Sequence, residues 1–291
     1  MTRARGVAAP PGRESPGGRH SSVVFSDDRQ WADHLAAFVR SGLQKREQVR
    51  YFADTTAPER VMRALTDAGI DAAGAVTRGQ LSVSVAAQTC LACSGFDPDA
   101  MIGMWFEAAD AACAAGYRGL RAIGEMSWGA RDIAGADRLL EYELRVHEEV
   151  FARLPLTAWC FYDRRLMTDE YVGLLASAHL THRGEPHAGP ALRVTPLADR
   201  PGLRMSGSAG YDTRDTVAAA AAVISGASDR QRELDLAALR HIDAASLAVL
   251  ADAAAGQPGG SPLKVWQAPS PLRRLLQLFP ELSSVVEVVD R

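Results

Sequence analysis

The sequence predicts an α/β protein built from two domains. Three observations carry that prediction. The chain is 291 residues long, comfortable for two cores and long for one. Short β-branched runs alternate with amphipathic helical stretches, the pattern of βαβ units and a mainly parallel sheet. A polar, Gly/Pro-containing stretch, His179 to Pro190 (HLTHRGEPHAGP), separates two such series. The expected boundaries are a disordered tail over 1–20, a first domain over 21–180, a linker over 181–190 and a second domain over 191–291. Hydrophobic residues make up 47% of the chain and charged residues 23%, enough apolar surface to offset the ordering entropy of both cores.

The tail is rich in Pro, Gly, Arg and Ser and lacks core-forming residues. The first strand is Ser22 to Phe25, and Ser26-Asp27-Asp28 caps a helix on which Trp31, Leu35, Phe38, Val39 and Leu43 recur at helical spacing. Gln48 to Ala53 reads as a strand. Thr55-Thr56 is expected to cap a helix over 57–68 that Gly69 stops. Gln80 to Ala86 alternates and forms a third strand. Asp97 caps a long helix from Pro98 to Ala115, which leads into the strand Gly119 to Met126. A helix over 136–154 ends at Pro155, and the strand Ala158 to Tyr162 and the helix Asp169 to Ala178 complete the first series. After the linker come strands at 191–196 and 202–206, an Ala-rich helix Asp212 to Ser225, a strand Glu233 to Leu236, a helix Ala244 to Ala255, a strand Leu263 to Trp266, a helix Pro271 to Phe279 and a strand Val285 to Val288.

Charge and cysteine content narrow the function classes. A net charge of −3 and a pI near 6.2 supply no positive field for nucleic acid or an anionic membrane surface. The longest apolar stretches, such as Ala218 to Ile224, fall short of the roughly 20 residues that span a bilayer. No secretory leader is recognisable in residues 1–22, so a cytoplasmic location is expected. Cys90, Cys93, Cys113 and Cys160 are spaced too irregularly for a disulfide framework and are expected reduced.

Ligands of parallel α/β sheets sit at the carboxyl ends of strands. Glu125, Trp128, Tyr162 and Asp163 all fall there, Cys160 lies just before, and Tyr142 and Glu143 lie on the intervening helix. Aromatic rings with a carboxylate and a thiol suit a small, mostly apolar molecule with one polar handle. The alternative is an ion pair between Glu125 and Arg164 or Arg165 that locks strand ends, with Trp128 and Tyr162 as core cover. Phe25-Ser26-Asp27-Asp28-Arg29-Gln30 lacks the glycines and lysine of a phosphate loop, so nucleotide hydrolysis is not expected.

Neither a cofactor nor a metal site is expected. Cys90-x-x-Cys93 has no second Cys/His pair at ligand spacing, His179-x-x-His182 with His187 reads as a His-bearing linker, and His147-Glu148 lacks the second histidine of a zinc protease. A hydrolase using Cys160, His179 and Asp163 is the best enzymatic alternative. Cys160 lies inside an apolar strand, however, where its thiolate is disfavoured.

Two family resemblances sharpen this reading. Gly124-Glu125-Met126-Ser127-Trp128, Leu140-Glu141-Tyr142-Glu143 and Cys160-Phe161-Tyr162-Asp163-Arg164-Arg165 together resemble the MEDS family of sensory domains over about residues 20–180. That resemblance implies a degenerate RecA-like, three-layer α/β/α fold and sensing of a small, hydrocarbon-type ligand. Arg232 to Leu250 (RELDLAALRHIDAASLAVL) and Gly202 to Ser208 resemble the STAS family of anti-sigma-factor antagonists over about 191–291. This second resemblance implies a small α/β sandwich whose partner surface is Asp243, Ala244, Ala245, Ser246 and Leu247. The family's phosphorylated Ser/Thr position falls on Ala245, which leaves Ser246 as a displaced acceptor or, more simply, as a first-turn residue capped by Asp243. The expected protein is a non-catalytic regulator whose partner is an anti-sigma factor or other regulatory protein. A ligand-free scaffold is the other class considered, and a homodimer is compatible with either.

Overall fold

The computed structural model describes residues 20–89, 91, 95–226, 233–256 and 262–289. Its first sheet has six parallel strands. They are β1 (His20–Phe25), β2 (Gln48–Ala53), β3 (Leu81–Val85), β4 (Leu120–Glu125), β5 (Leu156–Asp163) and β6 (Thr181–Gly184), in the order β3-β2-β4-β5-β1-β6. Parallel strands need crossovers, and helices supply them on both faces. Helices α1 (Asp28–Gln44), α2 (Pro58–Asp67) and α3 (Ala72–Thr77) cover one face, where Trp31, Leu35, Phe38, Val61 and Ala75 join a core with Val23, Phe25, Tyr51, Ile123 and Phe161. Helices α4 (Pro98–Ala114), α5 (Leu139–Val146) and α6 (Asp169–Ser177) cover the other, packing on Val24, Phe52, Ala122, Cys160 and Tyr162. The expected three-layer α/β/α arrangement is therefore present.

The caps follow local chemistry. Asp27 accepts from the Gln30 amide at the start of α1, and Asp97 accepts from Asp99 and Ala100 before Pro98 opens α4. Helix α2 departs from expectation: Ala57, not Thr55 or Thr56, stands at its cap with Pro58 following. The Thr55 and Thr56 amides point instead at Glu125.

Three other expectations are corrected. His20, assigned to the tail, is the first residue of β1 and is buried, since β1 lies between β5 and β6 and continues one turn of pleat further than its β-branched residues. Residues 181–184, assigned to the linker, pair with β1 as the edge strand β6 despite their polarity, as an edge tolerates solvent-facing side chains. The single helix expected over 136–154 is broken. A 3-10 turn at Ala136–Arg138 precedes α5, and one π-helical turn, His147–Phe151, follows it.

The second sheet holds β7 (Leu192–Pro196), β8 (Leu203–Ala209), β9 (Glu233–Ile242), β10 (Leu263–Trp266) and β11 (Val286–Val289) in the order β11-β10-β9-β8-β7. Only β7 and β8 pair antiparallel. Its helices are α7 (Arg214–Gly226), α8 (Ala244–Ala255) and α9 (Ser270–Leu278). At the β8 bulge Gly207 has φ +105°, and a Cβ there would lie 2.2 Å from the Ala191 carbonyl oxygen, so only glycine fits. Apolar packing runs on from α5 to α7 and β7, and every residue of α5 except Arg145 is buried. A helix enclosed all round is a shared core element of both sheets.

Candidate functional site

Of the six residues expected to form one ligand site, Glu125, Trp128, Tyr142 and Cys160 line one cavity, whereas Asp163 lines a cleft on the other side of the first sheet that Glu125 also reaches. Side chains alternate along a strand, so β5 sends Cys160 and Tyr162 toward α4–α6 and Phe161 and Asp163 toward α1–α3. Glu125, at the end of β4, shares the second face with Tyr51, while Trp128 and Tyr142 lie on the first.

Glu125 is a loop anchor. Its carboxylate accepts the Tyr51 hydroxyl at 2.5 Å and the backbone amides of Asp54, Thr55 and Thr56 at 2.7, 3.0 and 3.1 Å. Burial, reinforced by the Glu125 charge, pushes the Tyr51 phenol well above its ordinary pKa. The expected pairing of Glu125 with Arg164 or Arg165 does not form, because both guanidiniums have nearer carboxylates. Arg164 meets Asp169 at 2.7 Å and Glu185 at 3.2 Å; Arg165 meets Asp163 at 2.7 Å and Asp28 at 2.8 Å. Between these charges lies an open polar cleft of about 340 Å³ that Trp31, Arg60 and Ser127 also line.

The opposite face holds a narrow apolar cavity of about 40 Å³, lined by Phe52, Met101, Trp105, Trp128 and Tyr142 and ending at His20 and Cys160. Its walls combine aromatic rings with the methionines Met101, Met104 and Met126. Trp105 Nε1 donates to the Tyr142 hydroxyl at 2.7 Å, and Phe96 packs against both Trp128 and Tyr142 with ring centroids 4.8 and 5.4 Å away.

Behind the cavity sits a group that sequence spacing did not reveal. His20, Glu143, Cys160 and His179 place one ligand-type atom each within 4.8 Å of all the others, and all four residues are buried. His20 Nε2 is 3.1 Å from Glu143 Oε2 and 3.3 Å from Cys160 Sγ, which lies 3.7 Å from the same carboxylate oxygen. The Tyr162 hydroxyl donates to Glu143 Oε1 at 3.1 Å. His179 Nε2 faces Glu143 Oε2 at 3.4 Å and has no hydrogen-bond partner among the described residues. Its Nδ1 lies 3.1 Å from the Leu175 carbonyl, an acceptor only, so Nδ1 carries the proton and Nε2 presents a lone pair. Burial, with neighbouring His147 for His20 and His20 for His179, lowers both imidazoles to about 3, so both are neutral at physiological pH. Burial likewise raises Glu143, and burial with the Glu143 charge raises the Cys160 thiol well above its usual range.

The profile of the family described as MEDS, MEthanogen/methylotroph, DcmR Sensory domain, matches residues 19–183. The chain belongs to the MEDS family. The match takes in β1 through β6, and with them the cavity, the cleft and the four-residue cluster. No curated protein matches the chain.

Within the MEDS domain Cys160 and His179 do meet, but the hydrolase arrangement does not assemble, because Asp163 is on the far face, gripped by Arg165. His20 was lost in the Arg/Gly/Pro/Ser-rich run before it, and the continuity of HSSVVF as one strand was the signal available. Cys90 and Cys93 lie outside the described residues. No helix among the described residues is long and apolar enough to cross a membrane. In the second unit Asp243 caps α8 by accepting the Ser246 amide at 2.7 Å, Ala244 and Ala245 are exposed, and Ser246 and Leu247 are buried.

Proposed function

We propose that the chain is a non-catalytic sensor and regulator. In this reading the MEDS domain admits a small apolar molecule to the cavity at Trp105, Trp128 and Tyr142. A C-terminal unit of STAS type passes the signal to an anti-sigma factor or similar regulatory protein. The observation that carries this is the position of α5. It supplies Tyr142 to the cavity wall and packs against α7 and β7 of the second unit, so a displacement at the cavity reaches the other sheet without crossing solvent. The π-helical turn that ends α5 favours the same reading, since such turns mark places where a helix is adjustable and often functional. The cavity volume suits a compound of one or two carbons, and Met101 and Met104 at its wall are flexible enough to admit a slightly larger one.

The output surface in this reading is the start of α8, where Ala244 and Ala245 are exposed beside Tyr211, which is 76% exposed. The buried Ser246 suits a first-turn residue better than a kinase substrate, so binding is set by the first domain and not by phosphate. The reading is tested by thermal unfolding in the presence of short alcohols, aldehydes and halocarbons, combined with affinity capture using wild type and Ala245→Arg. A ligand bound only by the native state raises Tm. Stabilisation by one compound class, lost in Trp128→Ala, together with partner capture lost in Ala245→Arg, is the expected result. Capture that survives Ala245→Arg with no stabilising compound would replace this reading with a ligand-free scaffold.

A further inference from the structure

We propose that His20, Glu143, Cys160 and His179 form a closed, four-ligand site for a divalent transition metal of zinc's class. The site goes beyond the sensory reading: two of its donors, His20 and Cys160, also line the apolar cavity, while Glu143 and His179 do not.

Geometry is the first argument. Four donors about 2.0 to 2.3 Å from one tetrahedral ion lie roughly 3.3 to 3.6 Å from each other. Of the six separations within the cluster, four are 3.1, 3.3, 3.4 and 3.7 Å, and all are within 4.8 Å. Covalent connectivity does not impose this, because the donors come from β1, α5, β5 and the second residue after α6.

The second argument is the orphaned lone pair. His179 Nε2, fully buried, is aimed at a carboxylate oxygen, which has only lone pairs of its own when ionised. Two acceptors facing each other at 3.4 Å in a dry core repel unless a proton or a metal ion lies between them, and the two further ligand-type groups gathered here, His20 and Cys160, suit the metal ion. Such a centre also explains the surrounding hydrogen bonds. The Leu175 carbonyl fixes the His179 tautomer that leaves Nε2 free, and the Tyr162 hydroxyl fixes the Glu143 carboxylate through its other oxygen. These are the outer contacts that orient metal ligands.

Donor chemistry selects the ion. One thiolate and two imidazoles favour zinc-class ions over magnesium or calcium, which take oxygen donors. A thiolate and a carboxylate together balance a divalent charge, so the loaded cluster is electrically neutral in a place where net charge is costly. The ion would join α5 and the turn after α6 to the adjacent strands β1 and β5.

The test uses the full chain, stripped with a chelator and titrated with cobalt(II), then loaded with zinc for X-ray absorption. The expected result is one cobalt per chain, the intense visible absorption of tetrahedral cobalt and a near-ultraviolet thiolate-to-cobalt band. That band is kept in the double variant Cys90→Ser/Cys93→Ser and lost in Cys160→Ser. Tyr162→Phe is expected to weaken cobalt by about tenfold or more through the loosened carboxylate. Because Cys160→Ser risks misfolding, zinc absorption on the wild type decides independently: one sulfur neighbour at about 2.3 Å with imidazole scattering supports the site. Absence of stoichiometric uptake, two or more sulfur neighbours, or a band that follows Cys90 and Cys93 would overturn it. These outcomes read metal uptake and coordination on the wild type, whereas the sensory reading is read from stabilisation by small organic compounds, so failure of one is distinguishable from failure of the other.

Discussion

Two buried carboxylates, Glu125 and Glu143, stand on opposite faces of one sheet and solve the same electrostatic problem differently. Glu125 accepts four donors and is complete within the chain. Glu143 accepts from Tyr162 and Cys160 and has His20 Nε2 at 3.1 Å, yet turns one oxygen toward a histidine lone pair. A burial fraction does not distinguish them, at 5% and 0% exposure. What separates a structural carboxylate from a functional candidate is whether the polar atoms around it are donors.

The sharpest way to break that contrast is to make the same substitution at both. Glu125→Gln keeps the shape but puts an amide N–H₂ where donors converge. At least one backbone amide of Asp54–Thr56 or the Tyr51 hydroxyl then loses its acceptor. A loss of about 3 kcal/mol is expected in urea unfolding, the upper range for a stranded buried donor. A loss below about 1 kcal/mol would mean that the loop after β2 is not anchored by Glu125.

Next in size is Tyr162→Phe, measured on metal-free protein. It removes the only tyrosine donor to Glu143 Oε1, and a cost of about 1 to 2 kcal/mol is expected. No change would place the phenol outside the network.

Glu143→Gln in metal-free protein reverses the Glu125 outcome. The amide nitrogen can donate to His179 Nε2 while the amide oxygen still accepts from Tyr162; on that side Cys160 is only a weak donor and a neutral His20 has an acceptor tautomer, so a change of less than about 1 kcal/mol in either direction is expected. If both Glu→Gln substitutions cost the same, the distinction drawn between the two faces is wrong.

How much of this was legible in the sequence depends on range. Period-2 and helical spacing located every strand from β1 to β11 except the polar edge strand β6, because burial on a parallel sheet writes itself into local runs and an exposed edge does not. Four of the six expected site residues, Glu125, Trp128, Tyr142 and Cys160, do line one cavity, whereas Tyr162 reaches the buried cluster and Asp163 the other face. Alternation along Cys160-Phe161-Tyr162-Asp163 already divides them: Cys160 and Tyr162 share a face, and Asp163 cannot join them. The cluster was harder to read. His20 and Cys160 meet only because β1 pairs with β5 in a register that sets Ser22 opposite Cys160, a fact of topology 140 residues apart in the chain. No ligand spacing motif encodes such a meeting, and the polar composition before His20 hid the strand's first residue.

The smallest effect belongs to the open edge, and it tests whether that edge is more than a solvated network. Arg165 is paired with Asp163 and Asp28 but remains 44% exposed, so water screens both attractions. Arg165→Ala is expected to cost about 0.5 kcal/mol in dilute buffer and to become nearly silent in molar salt, where charges a few ångströms apart are largely screened. A salt-insensitive loss of several kcal/mol would instead mark Arg165 as part of a desolvated site. The polar cleft, and not the aromatic cavity across the sheet, would then be the place to look for the ligand.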